Sequence, residues 1–135
     1  MNAICVFCGA REFERADGRP RCAVCGWFAG DAPDPDLPPP VVEVVYYLRY
    51  ADRIKIGTSA HPRRRLAAIH HEELLAFERG GRRLEQARHA EFADVGEGGE
   101  WFTAVPGLVA HAAALAGGVD PWRTYTRWLA EARRP

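Results

Sequence analysis

One stretch, residues 44–65, constrains the fold of this chain more than any other. Two runs of β-branched and aromatic residues, 44–50 and 53–57, flank a short polar break. Two such runs around a short turn are typical of a β-hairpin. Pro62 then suits the first turn of a helix, because its missing N–H would have no partner there. The stretch therefore predicts a hairpin followed at once by a helix, with tyrosines, a lysine and arginines near one end of a small sheet.

All four cysteines lie near the N-terminus, in two Cys-x-x-Cys-Gly pairs separated by thirteen residues. The pairs are Cys5 with Cys8 and Cys22 with Cys25. Tetrahedral zinc takes four thiolates, and a two-residue gap lets both cysteines of a pair turn toward one ion. Two disulfides or a redox Cys-x-x-Cys are the alternatives. We expect no secretion signal and see no βαβ context, so we predict a closed, structural Zn²⁺ site that supplies folding free energy to a small zinc ribbon.

Composition divides the chain into four parts. Residues 31–41 hold five prolines and three aspartates, which continue neither a helix nor a central strand and predict a semi-rigid linker. We therefore expect a zinc ribbon at 1–30, this linker, a second domain at 42–117 and a basic amphipathic helix at 118–135. That last helix is either a terminal packing helix with a solvated basic face or a nucleic-acid contact.

In the second domain a helix is predicted from Arg82 onward. Glu85 and His89 lie four residues apart on it, so both side chains can reach one small region. An exposed Glu–His pair on a helix surface is the alternative interpretation. Lys55 lies between two isoleucines on the second predicted strand, where it is either an ordinary solvent-facing residue or part of a site.

These residues give the chain a resemblance to the GIY-YIG nuclease superfamily, in the small-domain branch whose second motif reads Lys-Ile-Gly. The similarity covers roughly residues 42 to 115 and implies an α+β fold, a small three-stranded, mostly antiparallel sheet flanked by helices. The matching pieces occur in order as Val44-Val45-Tyr46, Lys55-Ile56-Gly57, Arg65, Glu85 with His89, and Glu100-Trp101-Phe102.

The resemblance implies a metal-dependent endonuclease that hydrolyses phosphodiester bonds in DNA, with RNA as the alternative substrate. Glu85 would hold a catalytic Mg²⁺ or Mn²⁺, Arg65 would clamp a phosphate oxygen, and Tyr46 would lie beside the attacking water. The predicted catalytic residues are Tyr46, Lys55, Arg65 and Glu85. The predicted supporting residues are Tyr47, Gly57, His89 and Glu100.

Two features depart from the family pattern. Lys55 stands where a second tyrosine is more usual, and the asparagine found late in many family members is missing, since the chain's only asparagine is Asn2. The chain has 18 basic residues (Lys plus Arg) and 18 acidic residues (Asp plus Glu), so its net charge is zero. A net positive charge that would attract DNA is therefore absent. The alternative function is a catalytically weak or inactive adaptor that binds nucleic acid or protein.

The remaining expectations concern location and partners. No apolar run approaches the length that spans a bilayer, so we expect a cytoplasmic protein without membrane contact. DNA is the expected main partner. The zinc ribbon is expected to be a targeting module that contacts a protein partner or nucleic acid.

Overall fold

The computed structural model describes residues 3–134, so Asn2 lies outside the described residues. The chain divides into two compact units. The first consists of Met1–Val41 together with Trp122–Pro135, and the second is Val42–Pro121. Both ends of the chain therefore belong to one unit, and the other is formed by the segment between them. None of the described helices is long and apolar enough to cross a membrane.

Six strands, four α-helices and one 3₁₀ helix make up the described secondary structure. In chain order they are β1 (Phe13–Ala16), β2 (Arg19–Cys22), β3 (Val44–Tyr50), β4 (Arg53–Ser59), α1 (Pro62–Ala67), β5 (Glu73–Arg79), α2 (Arg82–Glu91), the 3₁₀ helix (Ala93–Val95), β6 (Trp101–Thr103), α3 (Pro106–Ala116) and α4 (Pro121–Arg133).

The second unit contains an antiparallel sheet in the order β5-β3-β4-β6. The α+β class and the β3–β4 hairpin predicted from sequence are confirmed. The expectation of three strands is wrong, because the sheet has four. The additional strand, β6, pairs with the outer edge of β4, with Trp101 opposite Lys55 and Phe102 opposite Ile54. Three residues are too few to show the alternation that identifies a strand in sequence.

The two faces of the sheet have different neighbours. Side chains alternate along each strand, so cross-strand partners share a face. One face forms a buried cluster with the helix residues Leu108 and Ala112. Its strand members are Val45, Tyr47, Ile54, Ile56, Ala76 and Phe102. The opposite face carries Tyr46, Gly57 and Lys55, with Tyr46 directly across from Gly57 in the register.

The first unit contains the two-stranded β1–β2 sheet and α4. The proline-rich residues 31–41 belong to this unit. Arg133 of α4 donates to three of their backbone carbonyls, including that of Leu37 at 3.1 Å. The other two acceptors are the carbonyls of Asp34 and Pro38. The predicted linker is thus held along α4 for part of its length.

Tyr46 and Gly57 are in unusually close contact. A Cβ atom built on Gly57 would lie 2.3 Å from the Tyr46 hydroxyl oxygen and 2.5 Å from Cζ. Real Cβ atoms do not approach other atoms so closely, and the Tyr46 side chain is fully buried. Glycine at this position therefore sets the location of the phenol ring.

We predict that Gly57→Ala destabilises the second unit by about 1–3 kcal/mol, because the new methyl group displaces a buried ring. Urea unfolding measures the change. Gly107→Ala is the matched control, since its Cβ would meet open space at the start of α3 and alanine favours helix there. Equal stability of the two variants would contradict the Tyr46–Gly57 contact.

Candidate functional site

The four cysteine sulfurs form one compact group. All four Sγ atoms lie within 4.8 Å of one another, and the Cys5–Cys25 and Cys8–Cys22 pairs are each 3.6 Å apart. Sulfurs bound to one tetrahedral zinc at about 2.3 Å would be separated by about 3.8 Å. A disulfide would instead need about 2.05 Å. The four cysteines are free and arranged to hold a metal ion.

The two Cys-x-x-Cys-Gly turns are built alike. In each, the glycine N–H donates to the carbonyl of the first cysteine, at 2.9 Å in both. The N–H of that cysteine donates to the carbonyl of the residue after the glycine, at 2.8 Å in both turns. Gly9 and Gly26 have φ of 80° and 82°, a left-handed conformation that glycine adopts without strain. The glycine after each pair, visible in the sequence, is thus required by the turn.

Burial raises the pKa of two of the cysteine thiols, those of Cys8 and Cys25. Cys22 and Cys25 are fully buried, and burial raises the pKa of the Cys25 thiol. Burial also acts on Cys22, but N–H groups of Cys25 and Val24 outweigh it and lower the pKa of that thiol. A metal ion supplies the charge that buried thiolates otherwise lack.

Helix α4 packs on the four-cysteine cluster. Ala130 is fully buried in a cluster with Cys5, Cys22, Cys25 and Trp27. Three arginines donate to backbone carbonyls of the second cysteine turn. Arg123 donates to the Ala23 carbonyl at 3.3 Å, and Arg127 donates to the carbonyls of Ala23 at 3.0 Å and Val24 at 3.3 Å. Arg134 donates to the Gly26 carbonyl. These contacts favour the packing interpretation of α4 over a nucleic-acid contact.

We predict that purified protein binds about one Zn²⁺ per chain and that Cys22→Ser abolishes stoichiometric binding, because a structural site needs all four thiolates. Metal analysis by mass spectrometry and release of zinc to a chromogenic chelator measure this. Val6→Ser is the control, since Val6 lies between two predicted ligands but is 69% exposed. Full zinc content in Cys22→Ser would refute the assignment.

A second group of predicted site residues meets at the β4–β6 edge of the sheet. Lys55 Nζ and Glu100 Oε2 form an ion pair at 3.0 Å. The Nε2 atom of His89 on α2 hydrogen-bonds the Ile56 carbonyl at 2.7 Å, and the His89 ring contacts Phe102 with centroids 5.0 Å apart. Helix α2 contacts β4, which brings its side chains to this edge.

Glu85 is the one buried charged residue in the described chain, with 9% of its surface exposed. Burial raises the pKa of its carboxyl group, and the charge of Glu100 raises it further. His89, Arg82 and Lys55 act in the opposite direction. The carboxylate therefore lies within electrostatic reach of both Glu100 and Lys55. The sequence did not lead us to predict Arg82 near this site, although residues three apart on a helix, such as Arg82 and Glu85, are neighbours.

Tyr46 interacts with Arg65, which is linked to the Lys55–Glu100 pair through the charge of Glu100. The Tyr46 hydroxyl oxygen is buried and finds no hydrogen-bond partner of ordinary geometry among residues 3–134. Arg65 on α1 lies near it, and interaction with Tyr46 is the largest influence that raises the pKa of the guanidinium. The charge of Glu100 adds to this rise, so Arg65 is electrostatically linked to both groups.

Tyr47 lies apart from the other predicted site residues, on the opposite face of the sheet. Its hydroxyl donates to Glu78 Oε1 at 3.1 Å and lies 3.1 Å from Nε2 of His111. Arg88 in turn pairs with Glu78 at 2.5 Å. Burial, followed by the charge of Glu78, raises the pKa of Tyr47. The structure thus gives Tyr47 a role in a polar network within the core.

Comparison with protein-family models, with curated proteins and with solved structures found no match to the chain. The function must therefore be argued from the residues and from their arrangement.

We predict that Glu85→Gln stabilises the fold at neutral pH. A carboxyl group whose folded pKa is raised opposes folding in its charged form, and this cost is complete above the folded pKa. The gain from Glu85→Gln should therefore shrink as pH falls through that pKa. Thermal unfolding at a series of pH values measures it.

Glu91→Gln provides the matched comparison for this effect. Glu91 is exposed on the same helix and pairs with Arg88 at 2.8 Å, so its removal should bring no gain. A stability gain for Glu85→Gln that stays constant down to acidic pH would contradict the role assigned to burial of the charge.

Proposed function

We propose that the second unit is a metal-dependent endonuclease of the GIY-YIG type, which hydrolyses phosphodiester bonds in DNA. The observation that carries the proposal is the convergence of Tyr46, Arg65, Lys55 and Glu85 around one end and edge of the sheet. A buried hydroxyl group that makes no hydrogen bond of ordinary geometry and a buried carboxylate are both costly to the fold. Residues that cost stability and also match a nuclease pattern are best explained by chemistry.

In this proposal Glu85 binds Mg²⁺ or Mn²⁺. Hard divalent cations prefer carboxylate oxygen and keep much of their water shell. Bound at this position, the ion would neutralise phosphate charge and stabilise the leaving oxygen. The raised pKa of Glu85 fits such a role, because the buried carboxylate gains from a nearby cation.

Tyr46 and Arg65 would act on the water and on the phosphate. The Tyr46 hydroxyl group would orient the attacking water and help to deprotonate it. The Arg65 guanidinium presents a fork of donors suited to phosphate oxygens. Gly57 serves this arrangement by leaving room for the ring.

Lys55 and Glu100 would set the charge balance of the site. Their 3.0 Å ion pair holds the ammonium group at the β4–β6 edge, where it would orient the phosphate. His89 would support the site through its bond to the Ile56 carbonyl, which fixes α2 against β4.

The Lys55–Glu100 pair is also the observation that favours the alternative function. Lys55 stands where the family more often has a tyrosine, and Glu100 offsets its charge in this structure. Together with zero net charge, this is consistent with an adaptor that binds nucleic acid or protein without cutting.

The first unit would be the targeting module, with Zn²⁺ as its structural ion. All four ligands come from cysteine, so the ion would have no open position for substrate. Ile4 and Val6, which flank Cys5 at the first cysteine turn, are 52% and 69% exposed. Exposed apolar side chains on a small, metal-fixed turn support a protein partner at this surface.

The test of the proposed activity is nicking of supercoiled plasmid with Mg²⁺ or Mn²⁺. We predict that the parent protein nicks and that Glu85→Gln loses at least about 100-fold in rate, since it removes a charged group acting on the reaction. Asp94→Asn is the matched control, because it removes one exposed carboxylate just after α2. It should retain the parent rate.

Three outcomes separate the alternatives. Nicking lost in Glu85→Gln and kept in Asp94→Asn supports the endonuclease. Equal nicking by all three proteins would point to a contaminant. Absence of nicking by all three, with salt-dependent DNA binding retained, would support the adaptor instead.

A further inference from the structure

A cavity of about 320 Å³ lies where β4 passes into α1. It is lined by Ser59, His61, Arg64, Arg65 and Ala68. Three of these five residues are basic, one carries a hydroxyl group, and none is acidic. Such a lining suits an anion with several oxygen atoms.

The chain places these side chains together by helix geometry. Counted from His61, the other helix residues of the lining follow at three, four and seven positions, as Arg64, Arg65 and Ala68. This spacing puts them on one side of α1. Arg63 lies outside this row. Ser59 is the last residue of β4, and its Oγ accepts a 2.9 Å hydrogen bond from the His61 N–H. Ala68, which has a small side chain, completes the lining of the cavity.

Arg65 belongs to both the cavity and the proposed active site. It lines the cavity, and it also interacts with the Tyr46 hydroxyl group. A phosphate bound between Arg64 and His61 would therefore lie next to the phosphate clamped by Arg65. A nucleic-acid strand presents neighbouring phosphates, whereas a small phosphodiester has only one.

We propose that this cavity binds a second backbone phosphate of the nucleic-acid strand, adjacent to the one that is cleaved. The inference rests on the proposed function and deepens it by assigning this cavity to the phosphate next to the one that is cleaved. His61 and Arg64 would be positioning residues. Contacts to phosphates fix the register of a protein on its substrate without reading sequence.

The first test measures binding, so it does not depend on cleavage. Affinity for a fluorescent DNA oligonucleotide is measured by anisotropy over a range of salt in the Glu85→Gln background. Loss of one phosphate contact should reduce the slope of log affinity against log salt by about 0.7–0.9. We expect this change for Arg64→Gln. Arg49→Gln, which removes a cation at the opposite end of the β3–β4 hairpin, should leave the slope unchanged.

A second pair of variants tests the cavity itself. Ala68→Glu places a carboxylate in it, whereas Ala67→Glu adds the same charge to the neighbouring exposed position, which does not line the cavity. We expect Ala68→Glu to weaken DNA binding at least tenfold more than Ala67→Glu. Thermal unfolding of both variants shows whether each remains folded.

A third test compares substrates of the parent and of Arg64→Gln. Bis(p-nitrophenyl) phosphate has a single phosphate, whereas plasmid DNA offers neighbouring ones. The rate on DNA should fall at least tenfold more than the rate on the small ester. An equal fall on both substrates would overturn the second-phosphate proposal while leaving the nuclease proposal intact.

The outcomes distinguish the two proposals. If the parent cleaves neither substrate, the nuclease proposal fails, and the salt slope still decides the cavity. Unchanged slopes for Arg64→Gln, or equal effects of the two glutamate variants, overturn the inference. Binding of inorganic phosphate alone, with no change in the DNA slope, would also overturn it.

Discussion

The antiparallel register of β3 with β4 is the constraint on which the rest of the second unit depends. It places Tyr46 against Gly57, so the phenol occupies space that any other residue would fill. The same register puts Lys55 on the Tyr46 face and leaves the outer edge of β4 free for β6. Glu100 reaches Lys55 because it directly precedes β6. A shift of one residue would send Lys55 into the apolar face and separate these groups.

The metal-binding unit depends on a different principle, since its own apolar core is small. The cysteine sulfurs, Trp27 and Ala130 form one buried cluster, and α4 completes it from the far end of the chain. Arginines that a count of charges would assign to nucleic acid are instead bonded to backbone carbonyls. The arginines of α1 differ from those of α4, because Arg64 and Arg65 line an open cavity.

Much of this arrangement could be predicted from the sequence, for identifiable reasons. Cysteine spacing and the glycine after each pair encode the metal-binding turns locally, and the polar break encodes the hairpin. The fourth strand could not be predicted, because a three-residue edge strand is defined by its partner. Alternation along β3 places Tyr46 and Tyr47 on opposite faces, but only the structure shows Tyr47 bonded to Glu78 in the core. The burial of Glu85 and its electrostatic link to Glu100 depend on packing between α2 and the sheet, which no local pattern contains.

The participation of both chain ends in one unit has a consequence for biosynthesis. The cysteines leave the ribosome before α4, since the two arginines that donate to the Ala23 carbonyl follow it by 100 and 104 residues. The intervening segment, Val42–Pro121, can complete its own sheet before α4 exists. During synthesis the two cysteine turns are therefore without the helix that later packs on them. The order of synthesis would be the cysteine turns first, the central unit second and α4 last.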